Sequence, residues 1–118
     1  MIATTALILA MMSATENEIV RAVAPELFGH DIDIEVTMRD GTRADIITKT
    51  HAIECDYAPK WAEAIGQSLH YAEMSQRKPG VLILLKNDSE WPHLVRVAIL
   101  CGKFGIDLWV VEVEESEL

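Results

Sequence analysis

The chain has 118 residues, of which 50% are hydrophobic and 25% charged. That length and balance fit one ordinary domain with a real core, and exclude a large multidomain enzyme, a disordered chain and a collagen-like one. The formal charge of −9, from 10 Lys and Arg against 19 Asp and Glu, argues against a protein that coats nucleic acid through bulk electrostatics. The charge is uneven. Arg39, Arg43, Lys49 and Lys60 cluster in the middle, while the tail from Val111 to Leu118 carries Glu112, Glu114, Glu115 and Glu117 and no base. Cys55 and Cys101 lie 46 positions apart with no paired metal-ligand spacing, which excludes a structural zinc site and reads as two buried free thiols.

Met1 to Met12 is almost wholly apolar and too short to cross a membrane, so no membrane partner is expected. With the small Ser13 and Ala14 behind it, residues 1–14 read either as a secretory leader cut after Ala14 or as a hydrophobic helix start packed on the domain. The first reading places the protein outside the cytoplasm (secreted or periplasmic), the second inside it. Residues 15–118 form the single domain.

Thr15 with Glu18 three positions on is a capping box, and predicts a helix from Glu16 to Ala24 stopped by Pro25. Asp31 to Arg39 alternates, with Ile32, Ile34, Val36 and Met38 facing one way, which predicts a half-buried strand. Asp40-Gly41 is a hairpin signal, leading to a strand over Thr42 to Ile47. Thr48-Lys49-Thr50 reads as a second turn, followed by a strand over His51 to Tyr57. Pro59 opens a long helix to Gln76, with Trp61, Ile65, Leu69 and Ala72 at helical spacing. Lys78-Pro79-Gly80 breaks it. Val81 to Leu85 is a continuous apolar run, the mark of a strand buried on both faces. Glu90 to Phe104 is a further helix stopped by Gly105, and Ile106 to Glu112 a last strand. The order α-β-β-β-α-β-α-β predicts a mixed sheet with helices on both faces, and a parallel pair across the long helix.

Three acids stand out. Glu54 and Asp56 share one face of their strand, and Asp45 lies beside Glu54 across a tight hairpin. Like charges gathered on an apolar hairpin are costly unless a cation joins them, and a hard divalent ion suits carboxylates and a main-chain carbonyl. The alternative is a solvated sheet face carrying ordinary acids. On the helix that follows, Lys60, Gln67 and Tyr71 form one stripe with Glu63 between them, and its first turn starts four residues after Asp56.

The arrangement Asp40-Gly41-Thr42-Arg43-Ala44-Asp45, then Ile53-Glu54-Cys55-Asp56, then Gln67-Ser68-Leu69-His70-Tyr71 resembles the PD-(D/E)xK nuclease superfamily. The Gln-x-x-x-Tyr element is similar to that of its RecB-like branch. Asp40 to Asp45, Ala52 to Asp56 and Lys60 to Ala72 also resemble a group of small bacterial and phage restriction-endonuclease-like proteins. The resemblance covers the central third of the chain. It implies an α/β (α+β mixed-sheet) restriction-endonuclease-like core and a Mg²⁺- or Mn²⁺-dependent nuclease hydrolysing phosphodiester bonds. Nucleic acid is the implied substrate, with DNA expected, and a homodimer is one open assembly. It implies metal binding by Asp45, Glu54 and the Cys55 carbonyl, with Glu16 as a further acid because Glu18 is occupied in the capping box. Gln67 and Tyr71 would orient the site. The family's lysine two positions after the glutamate is here Asp56, and Lys60, on the next helix, is positioned to replace it. The departure leaves a second expectation open, a catalytically silent module of the same fold used for binding or assembly.

Overall fold

The computed structural model describes residues 2–4, 9–11 and 15–115. The elements run β1 (Ile2–Thr4), β2 (Leu9–Met11), α1 (Glu16–Phe28), β3 (Asp33–Thr37), β4 (Arg43–Ile47), β5 (His51–Tyr57), a 3₁₀ turn (Ala58–Lys60), α2 (Trp61–Ser75), β6 (Lys78–Leu85), a second 3₁₀ turn (Asp88–Glu90), α3 (Trp91–Phe104) and β7 (Asp107–Glu115). The fold is α+β, built on a mixed sheet in the order β1-β7-β6-β5-β4-β3, with β2 also on β7. From residue 15 onward the element order is the one the patterning predicts. β3, β4 and β5 form an antiparallel meander, whereas β5, β6 and β7 are parallel and joined through α2 and α3.

β6 shows why the sheet needs two helical layers. Val81, Ile83 and Leu85 pack on one face with Ala64 and Ile65 of α2 and Leu94, Val97 and Cys101 of α3. Leu82 and Leu84 pack on the other with Ile19, Val20, Val23 and Ala24 of α1. A strand buried on both faces has no polar positions to spend, hence its unbroken apolar run. Both cysteines are buried free thiols.

Several elements depart from the sequence expectation. α1 runs through Pro25 to Phe28 and stops at Gly29, whose φ of 81° only glycine adopts easily and whose N–H donates to the Pro25 carbonyl at 3.0 Å. Leu27 and Phe28 pack on the α1-side core, and that burial offsets the bond the proline lacks. Lys78-Pro79-Gly80 ends α2 but already belongs to β6, paired in parallel with His51, Ala52 and Ile53. β7 extends to Glu115, so the acidic tail begins as a strand: Val111 and Val113 are buried and Glu112 and Glu114 point to solvent. Residues 2–4 and 9–11 are strands parallel to β7 rather than a helix start, while the expected cleavage point at Ala14 lies outside the described residues.

β3 also breaks its expected alternation. Ile32 and Ile34 pack on the α1-side core, but Val36 and Met38 pack with Tyr71 and Ala44. The cause is Glu35, which lies between them with a φ of 57°. A left-handed residue turns the strand over, and for a side chain other than glycine it costs about 1 kcal/mol or more. Its carboxylate accepts from Asn17 Nδ2 and, at 3.3 Å, from Arg21 of α1, with Arg43 at 3.8 Å.

Gly80 marks the tightest approach in the sheet. A Cβ there would stand 2.8 Å from Trp109 Cζ3 and 2.9 Å from Ile53 Cγ1. Both neighbours are held, Trp109 edge-on to Phe28 at 5.0 Å between ring centroids and Ile53 in the core. Gly80→Ala is therefore expected to destabilise the fold by about 1–3 kcal/mol, the usual cost of overpacking, measured by urea or thermal unfolding.

Candidate functional site

β4 and β5 pair only at Ile46–Ile53 and Ile47–Ala52. The next pair in register would be Asp45 with Glu54, and there the ladder stops. Side chains take over its hydrogen bonds. The Asp45 N–H donates to Glu54 Oε1 at 3.0 Å, and the Cys55 N–H donates to Asp45 Oδ2 at 2.9 Å. The β3–β4 ladder skips the same row, since Ile34–Ile46 and Val36–Ala44 are paired and Glu35–Asp45 is not. Asp45 thus sits where the sheet opens on both sides.

The N–H and C=O of one strand residue point the same way, so the Cys55 carbonyl faces the same gap as its N–H. The Cys55 thiol packs into the α1-side core, and its contribution to the site comes from the main chain. Glu54 and Asp56, of equal parity on β5, are both buried and both open into this region.

α2 closes the site from one side. Its buried face is mostly small, with Ala64, Ser68 and Ala72 beside Ile65 and Tyr71, so the helix lies close on β5. Ser68 satisfies its buried hydroxyl by donating to the Ile65 carbonyl at 2.9 Å. Tyr71 packs among Ala44, Ile47 and Ala52, and burial pushes its phenol above the ordinary range. The hairpin leading into β4 is pinned to α2 by Asp40, which meets His70 Nε2 at 2.8 Å and accepts from the Thr42 N–H at 3.0 Å. α1 closes the site from another side: Thr15 caps the helix by accepting from the Glu18 N–H at 3.2 Å, and Glu16 is in the first turn.

The result is one cavity of about 320 Å³ lined by Glu16, Arg43, Asp45, Glu54, Cys55, Asp56, Lys60, Glu63, Gln67 and Tyr71. All eight residues singled out from the sequence line it. Arg43 and Glu63 join them. The signal for Arg43 was present, because it precedes Asp45 by two positions on a strand and so shares its face.

Electrostatics in the cavity are unfavourable to its own acids. Burial, Asp56 and Asp45 push Glu16 from 4.5 up to about 7, against a lowering by Lys60. Burial raises Asp56 from 3.8 to about 6, with Lys60 opposing. Burial also raises Asp45 above its ordinary value and Glu54 from 4.5 to about 9, and each is further shaped by the other. Lys60 is exposed at the start of α2, yet its charge reaches Glu16 and Asp56.

The donor set is oxygen-rich and hard, the type that suits Mg²⁺ or Mn²⁺. Among the described residues no group of three or more His, Cys, Asp or Glu side chains is gathered to hold an ion. A set of two carboxylates and one main-chain carbonyl requires no such trio. The donors Asp45, Glu54 and the Cys55 carbonyl therefore fit a divalent ion by chemistry, with Asp45 and Glu54 each also engaged by a backbone N–H. No helix among the described residues is long and apolar enough to cross a membrane. No family model, curated protein or solved structure matches the chain.

The raised acids carry a pH dependence whose sign is fixed. Below about 3.8 both folded and unfolded chains hold these protons. As pH rises the unfolded chain releases them first, while folded Asp56 keeps its proton to about 6, Glu16 to about 7 and Glu54 to about 9, so stability falls from about pH 4 upward. In metal-free buffer the melting temperature is expected to fall between pH 4.5 and 8. Glu54→Gln, which removes the need to protonate this side chain on folding and keeps an oxygen for the Asp45 N–H, should flatten that slope and raise the melting temperature at pH 8. The gain should be about 4 °C per kcal/mol relieved, read by calorimetry across the pH series.

Proposed function

We propose that this chain is a metal-dependent nuclease domain that hydrolyses phosphodiester bonds, with DNA as the expected substrate and a restriction-endonuclease-like core. The observation that carries this reading is the gathering of Asp45, Glu54, the Cys55 main chain, Asp56, Lys60 and Gln67 around one cavity at the gap between β4 and β5. The element order from α1 to β7 is in keeping with such a core.

Asp45, Glu54 and the Cys55 carbonyl would hold Mg²⁺ or Mn²⁺; Glu16, expected as a further ligand, lines the same cavity but forms no three-carboxylate group with them. The ion, when bound, would polarise the phosphate and lower the pKa of a water. The remaining chemistry belongs to the chain. Lys60 and Arg43 supply the cations of the lining, and their place in the mechanism is to hold the phosphate and offset the negative charge that develops on its oxygens. Asp56 stands where the lysine of the resembled family would be. Its carboxylate, raised to about 6, is matched to accept a proton from a water near neutral pH. Gln67 and Tyr71 orient the groups at the α2 side.

The second reading, a silent module of the same fold, is favoured by one residue, Asp56 in the lysine position. Magnesium calorimetry and cleavage assays in Mn²⁺, on single- and double-stranded DNA and RNA, separate the two. The nuclease reading expects divalent-ion binding and cleavage by the wild type. Asp45→Asn should lose both. Lys60→Ala should retain metal affinity and lose on the order of 10² in rate, the usual cost of removing a preorganised charge-stabilising group. A wild type without cleavage on any of these substrates overturns the nuclease reading in favour of the silent module, and full activity in Lys60→Ala removes Lys60 from the mechanism.

A further inference from the structure

The outward face of α3 carries an exposed apolar stripe beside the exposed charges of Arg96 and Lys103. Trp91, Val95 and Ile99 are 57%, 56% and 65% exposed, while Leu94, Val97 and Cys101 on the opposite face are buried in the core. An exposed apolar stripe of this kind marks a surface that meets another molecule. Trp91, Val95, Ala98 and Gly102 follow one another at intervals of four, three and four positions, the spacing of a helix-pairing seam. The stripe is bulky at one end and empty at the other, since nothing lies within 4 Å of where a Cβ would stand on Gly102.

We propose that α3 pairs with the α3 of a second copy of this chain, antiparallel about a twofold axis passing near Arg96 and Val97. In that register Trp91 of one copy covers Gly102 of the other, and Val95 meets Ala98, so the large end of each stripe fills the open end of its mate. Charge favours a second copy over an unrelated partner. Asp88 and Glu90 precede α3 and Lys103 lies in its last turn, so antiparallel pairing sets the acidic start of each helix beside the basic end of the other. The two helix dipoles then also oppose. One surface carrying both halves of its own complement is the condition for a closed twofold interface. The pairing stands independently of the nuclease reading, because none of its residues lines the acidic cavity.

Sedimentation equilibrium on the full chain tests it. The expected mass is twice 13.2 kDa at concentrations above about 10 μM, the range of a modest interface. Val95→Glu, at an exposed position, should give the 13.2 kDa species with an unchanged circular-dichroism spectrum. Lys103→Glu should weaken the dimer about tenfold, and adding Glu90→Lys, at the position facing it in this register, should restore it, a reversal that a merely sticky patch would not show. A wild type that stays at 13.2 kDa up to about 1 mM overturns the proposal. So does a dimer that survives Val95→Glu, or a double charge reversal that recovers nothing.

Discussion

The structure turns on one interrupted row of its sheet. Glu35, Asp45 and Glu54 stand side by side on β3, β4 and β5, and neither ladder is continuous through them. A sheet that loses ladder hydrogen bonds in its interior must find other partners for the freed N–H groups, or bear the cost of burying them unpaired. Here the acids supply the acceptors. The Glu54 carboxylate takes the Asp45 N–H and the Asp45 carboxylate takes the Cys55 N–H. Each acid is thereby tied to the backbone of the strand opposite it, and the two carboxylates are brought together against their own repulsion.

That arrangement is held from three directions. Below it, β6 is buried on both faces and ties the α1 and α2–α3 layers into one body. On one side α2 can approach because its buried face is largely alanine and serine. On the other, the left-handed Glu35 is clamped by Asn17, Arg21 and Arg43, so the strain at that residue is met by α1 and by the hairpin itself. Local strain and buried acids are thus concentrated at one cavity, and among the described residues no buried side-chain polar atom lacks a hydrogen-bond partner.

Much of this could be read from the residues in order. His51–Tyr57 was legible to the residue, because alternation, a polar turn before it and a proline after it agree. The hairpin at Asp40-Gly41 was legible because Gly41 takes a φ of 87° that few residues accept. The convergence of Asp45, Glu54, Lys60 and Gln67 followed from strand parity and helical stripe. What escaped was set by tertiary contacts. Pro25 reads as a stop, but Leu27 and Phe28 have core to bury beyond it. Pro79-Gly80 reads as a break, but β5 offers parallel partners, and Gly80 is needed there because Trp109 and Ile53 occupy its side-chain space. The turning-over of β3 at Glu35 had no local signal at all, since glutamate is an uncommon left-handed residue and its stabilising partners come from another helix.

Asp56 is best understood through its surroundings. Five acids and two cations line the cavity, and a lysine on β5 would have relieved the acids directly. With Asp56 in that place the relief must come from farther along the chain, from Lys60 at the start of α2 and Arg43 on β4, both exposed and both able to reach an anionic ligand from the rim. The cavity then has cations at its edge and the buried Glu54 and Asp56 at its floor. On the nuclease reading proposed above, a phosphate together with a divalent ion would suit that polarity, the one meeting the rim and the other the floor.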